Sequence, residues 1–177
     1  NIQFVFEYRM PIFIAEIAAL SGLMFSRSKP GLNIAMLFIF TTLTGLAITP
    51  LMAMVAAKAG VGVVVMAFAM TTIVFGLMSI FGLKTRKDLA NMGKMLFIAL
   101  IVVFVFSLVN LFLGSSMFQV IISSAAVILF SVYVAYDTQN IVRGLYSSPV
   151  DAAISLYLDF YNIFVHLLSL IGLANRD

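Results

Sequence analysis

The sequence predicts an all-α integral membrane protein, a single transmembrane helical domain over 1–177 with six membrane-spanning helices. Three observations carry that prediction. Of the 177 residues, 63% are hydrophobic and only 10% are charged, against roughly 25% charged in soluble domains. The apolar runs are continuous for about 20 residues, as a spanning helix requires, instead of alternating every second residue as barrel strands do. The connections between runs are short, which leaves no room for a soluble domain.

The first predicted span, 10–25, is short, is interrupted by Glu16, and is closed by SRSKPG, where Pro30 and Gly31 forbid helix continuation. The second, 33–57, contains GLAITP. Pro50 removes a backbone donor there, so a kink is expected, with Thr44 and Thr49 available to satisfy the freed carbonyls. The third, 61–83, holds no ionisable residue and reads as scaffold or lipid-facing. The most basic segment, KTRKDLANMGK, follows it. The fourth span, 95–113, is apolar except for Ser107 and Asn110 near its end, and a GSS turn leads into the fifth, 118–137. In the next connection Ser148, Pro149 and Asp151 have the order of an N-cap, a first-turn proline and a capping-box acid, so the sixth span is 150–172.

The chain has no cysteine, which excludes disulfides, thiol nucleophiles and thiolate metal sites. Its net charge of +3 resides in the loops and reports orientation, not nucleic-acid binding. Seven cations (Arg27, Lys29, Lys84, Arg86, Lys87, Lys94 and Arg143) lie on one side, against Arg9, Lys58 and Arg176 on the other. The positive-inside rule puts the first set in the cytoplasm. The first span then enters from outside, and an additional helix upstream would account for that.

Charge inside hydrocarbon costs about 2.5 to 3.5 kcal/mol per group on insertion scales, so the intramembrane acids are the functional candidates. Asp137 lies six residues before Arg143 and Asp159 ten after Pro149. At 1.5 Å per residue both sit roughly 9 to 15 Å in from the same loop, so the two can face one another. Two carboxylates in contact cannot both ionise cheaply and should share one proton, which makes a pH sensor. Asp151, Ser155, Asp159, Asn162 and His166 recur at steps of 4, 4, 3 and 4, one helical face, so the sixth helix belongs inside the bundle. Two carboxylates with Asn and Ser oxygens suit Ca²⁺ better than Zn²⁺. Glu16, about 16 Å along its helix from Arg27, is a third intramembrane acid. The alternatives are an interfacial Asp137, a statically bonded Asp159, a packed His166, and an Arg27 that snorkels to set topology.

AEIAALSGLMFSR, the kinked TGLAITP, YDTQNI and ISLYLDFYNIF together resemble the Bax-inhibitor-motif transmembrane family and its bacterial relatives, over almost the whole chain except the family's first helix. The resemblance implies two three-helix groups around a central C-terminal helix and a pH-sensitive calcium leak in a bacterial inner membrane. It implies Asp137 and Asp159 as the di-aspartyl pH sensor, Glu16 as a pore acid, and Arg27 as the latch of the closed state. The leading expectation is therefore a passive Ca²⁺ pathway gated by protons, non-enzymatic and without a cofactor. The alternative is a regulatory membrane protein that binds a membrane protease or cell-death machinery. Intramembrane aspartyl proteolysis is disfavoured, because LYLDF lacks the glycine of the GxGD pattern. A proton-coupled transporter finds no support in an inverted repeat.

Overall fold

The computed structural model describes residues 9–26 and 29–175, with the side chains of residues 9–13 and 16 outside that description. Six α-helices follow one another: α1 (Arg9–Ser26), α2 (Leu32–Ala59), α3 (Val61–Lys84), α4 (Gly93–Leu113), α5 (Ser116–Val142) and α6 (Pro149–Ala174). A 3-10 turn at Ala90–Met92 precedes α4. Helices α2 to α6 are long and apolar enough to cross a membrane. Phe38, Phe68, Ile98, Phe104 and Ile128 lie exposed on their outer faces, as lipid contact requires.

Local chemistry sets the helix ends. Ser148 caps α6 by accepting from the Asp151 backbone N–H at 3.1 Å, with Pro149 in the first turn. The Asp151 carboxylate accepts from the Ser147 hydroxyl. Ser115 caps α5 by accepting from the Phe118 N–H at 3.2 Å. Gly114, at φ 61°, ends α4 in the left-handed conformation that a glycine adopts without penalty. Helix α2 runs unbroken through Pro50. The Thr49 hydroxyl donates to the Gly45 carbonyl at 2.9 Å and the Thr44 hydroxyl to the Thr41 carbonyl at 3.0 Å. Thr44 also bonds the Tyr157 hydroxyl on α6, so it ties two helices together.

Helix α6 is central: it packs along α5, α3 and α2, and its residues Val150, Ile154, Tyr157 and Leu158 pack against the α1–α2 cluster of Ala19, Leu23 and Phe40. Helix α4 rests on α5. The main core lies where α2, α3, α5 and α6 meet, around Ile48, Ala67, Phe130, Ile163 and Leu168. Helix α3 is thus partly internal. A Cβ at Gly82 would collide with the Ala135 carbonyl of α5, so glycine permits that close approach.

The fifth helix does not stop at residue 137. It continues to Val142, and Asp137, Thr138, Gln139 and Asn140 are all buried. The cause is the α3–α4 loop, which folds across this last turn. The Gln139 side chain accepts from the Leu89 N–H at 2.8 Å and donates to the Lys87 carbonyl at 3.0 Å. Arg143 pairs with Asp88, which also accepts from the Ala90 N–H at 3.0 Å. The Arg143 guanidinium, and then the Ala90 N–H, hold the Asp88 carboxyl below the usual carboxylate range.

Candidate functional site

Because α5 and α6 run antiparallel and in extended contact, Asp137 near the end of one meets Asp159 in the middle of the other. Both are buried, at 6% and 3% exposure. Their carboxyl groups line one pocket and are close enough to interact directly. A hydrogen bond between two carboxyls requires a proton on one of them. The Asp159 Oδ2 atom is buried without a hydrogen-bond partner among the described residues, so this acid keeps capacity for a further proton or cation.

Two further groups complete the site. The Tyr146 hydroxyl, from the connection between α5 and α6, stands close to Asp137 and to Ser155 of α6. Tyr146 is half-buried, and burial first, then the nearby Asp137, push its phenol above the ordinary tyrosine range. It therefore stays protonated and can donate to the neighbouring carboxyl. A pocket of about 160 Å³ is lined by Asp137, Ser155 and Asp159 together with Tyr133, Phe130, Leu100 and Leu158. Ser155 and Leu158 also line a larger pocket of about 320 Å³, where Tyr146, Ser147 and Asp151 face Leu20 and Met24 of α1. The two pockets share Ser155 and Leu158, so the larger one, on the side of the α5–α6 connection, adjoins the pocket of the paired acids.

The residues picked from the sequence divide accordingly. Asp137, Asp159 and Ser155 come together. Asn162 is half-buried, but its amide donates to the Leu158 carbonyl at 2.7 Å and does not line the aspartate pocket. His166 lies seven residues beyond Asp159, about 10 Å along the helix, and its Nδ1 is 3.2 Å from the Ser123 hydroxyl of α5. The Glu16 side chain and Arg27 lie outside the described residues. Tyr146 and Gln139 were not singled out from the sequence. Tyr146 stands nine residues from each of Asp137 and Ser155, and Gln139 stands next to the acid in YDTQN, but neither spacing tells where a side chain turns.

No group of three or more His, Cys, Asp or Glu side chains gathers among the described residues. The site offers two carboxyls and two hydroxyls, at most six oxygens, the lower end of the six to eight that Ca²⁺ takes.

The fold and the site define a multi-pass α-helical membrane protein with a buried acid pair between its two central helices. The sequence pattern of the family described as inhibitor of apoptosis-promoting Bax1 matches residues 2–176, and the chain belongs to that family. It is 65% identical over 178 residues to a Helicobacter pylori protein, covering 100% of this chain and 77% of that one. A Vibrio cholerae membrane protein is 34% identical over 168 residues, covering 93% and 75% of the two chains. The Escherichia coli modulator of FtsH protease YccA is 35% identical over 172 residues, covering 94% and 78%.

Proposed function

We propose that this protein is a pH-sensitive calcium leak, in which the Asp137–Asp159 pair holds one proton and sets the barrier to passive Ca²⁺ movement. The observation that carries the reading is the burial of two carboxyls on one pocket at the contact of the two central helices. Such a pair exists cheaply in a membrane only with a shared proton or a bound cation, and exchange of one for the other is a gate. Tyr146 holds Asp137 in place, and Ser155 supplies an oxygen at the entrance. Glu16 and Arg27 are proposed as pore acid and latch on the resemblance alone. The test is Ca²⁺ uptake into proteoliposomes across a pH series, with Asp159→Asn beside the parent protein. The pH dependence should disappear in the variant, and an unchanged profile would refute the assignment.

A second reading is favoured by the name of one relative, modulator of FtsH protease. On that reading the chain acts by binding a membrane protease, and the acid pair serves only to hold α5 on α6. Co-purification with such a protease that survives Asp137→Asn, in a protein without Ca²⁺ flux, would favour it.

A further inference from the structure

The facing stripes of α5 and α6 are polar at both ends and apolar between. On α5 the stripe reads Gln119, Ser123, Ala126, Phe130, Val134, Asp137, and on α6, in the opposite direction, it reads Asp159, Ile163, His166, Ser169. The end away from the aspartates is a connected network. The Asn110 amide of α4 donates to Gln119 Oε1 at 2.9 Å, and Gln119 Nε2 donates to the Ser123 hydroxyl at 3.1 Å. Ser123, wholly buried, bonds His166 Nδ1 in turn. Gln119 Nε2 also stands 3.5 Å from the Ser169 hydroxyl. Gln119, Ser169 and Lys58 line a pocket of about 80 Å³ whose other walls are apolar, chiefly Leu51, Met54, Val55 and Leu173. At about 30 Å³ per water the pocket has room for two or three.

Between the two polar ends lie Ala126, Phe130, Val134 and Ile163, all buried in the main core. We infer that the bundle carries a second polar site, a small aqueous vestibule open at the end opposite the basic loop and closed by the Ser123–His166 pair. A dry layer of Phe130 and Ile163 divides it from the aspartate pocket. Its ligands are water and small hydrated ions. Lys58 disfavours cations at the mouth, because it is exposed there and is the sole ionisable residue of α2. Helix α3 carries none from Val61 to Leu83, and α5 none from Ser116 to Val132, so no acid on these helices offsets it. Apolar layers between wet cavities block ions by expelling water, so the two sites are halves of a path that is closed in this structure.

The absence of cysteine gives a clean test. Ser169→Cys and Ile163→Cys are placed in vesicles of each orientation and exposed to membrane-impermeant methanethiosulfonates, one cationic and one anionic. Ser169→Cys should react only from the end opposite the basic loop, faster with the anionic reagent, and Lys58→Gln should remove that preference. Ile163→Cys should react from neither side. An inert Ser169→Cys, reaction from the basic end, reaction of Ile163→Cys, or a preference indifferent to Lys58 would overturn the inference. Should Ser169→Cys fail to fold, the protein's single histidine decides. Labelled with ¹⁵N in bilayers, His166 should receive magnetisation from water, and a dry imidazole would overturn the vestibule. Neither readout uses Ca²⁺, so the calcium leak and the vestibule can fail separately.

Discussion

Gln139→Leu removes one side chain that makes two hydrogen bonds to the α3–α4 loop, at 2.8 Å from the Leu89 N–H and 3.0 Å to the Lys87 carbonyl. The two losses are unequal. Lys87 is exposed and its carbonyl can turn to water, whereas Leu89 and Gln139 are 6% and 5% exposed, so the Leu89 donor is stranded. An unsatisfied buried donor costs about 1 to 3 kcal/mol. At 1.4 kcal/mol per factor of ten, the loop should open about ten- to a hundredfold more often. Amide hydrogen exchange in detergent or nanodiscs measures this directly. Leu89 should lose protection by that factor, while Thr85, whose N–H bonds the Phe81 carbonyl at 2.9 Å within the end of α3, should keep its own. Unchanged protection at Leu89 would refute the clamp and leave the extension of α5 to Val142 without a cause.

Gly82→Val should destabilise the protein by about 1 to 3 kcal/mol, read as a lower thermal midpoint in detergent, because the added side chain meets the Ala135 carbonyl. The Asp88–Arg143 pair should have a pH signature of defined sign. The folded carboxyl lies below its unfolded value of about 3.9, so the contribution is complete above that value and is lost as pH falls through the lower folded one. Asp88→Asn should abolish that acid limb of loop protection and leave neutral-pH Ca²⁺ uptake intact. Tyr146→Phe removes the hydroxyl beside Asp137, and a hydrogen bond from it to a charged group is worth about 1.5 to 3 kcal/mol. At 1.36 kcal/mol per unit it should displace the pH midpoint of Ca²⁺ uptake by about one unit or more. A midpoint that does not move would remove Tyr146 from the gate.

The sequence disclosed whatever depends on one chain segment at a time. Continuous apolar runs mark α2 to α6, the Ser148–Pro149–Asp151 order marks the start of α6, and the four-and-three spacing of its polar residues marks the inner helix. Antiparallel depth counting was enough to bring Asp137 to Asp159, because helix rise is constant. Contacts set by turns and by third partners were not legible. The helix of the fifth span runs on to Val142 with Gln139 buried by a loop fifty residues earlier in the chain, a contact that no local pattern encodes. Asn162 shares the face of Asp159, yet its amide turns back to Leu158, a rotamer choice that periodicity does not encode. Tyr146 entered the site because the short connection folds it inward over Ser155.

If Asp137 and Asp159 share one proton inside the membrane, infrared difference spectroscopy of the protein in lipid through a pH titration reads that proton itself. A single protonated-carboxyl band from the pair should stand near neutral pH and disappear as the shared proton leaves. In Asp159→Asn that band should be lost, together with the pH dependence of Ca²⁺ uptake. Two carboxylates fully ionised throughout the range in which Ca²⁺ flux changes, or a band that Asp159→Asn leaves untouched, would contradict it.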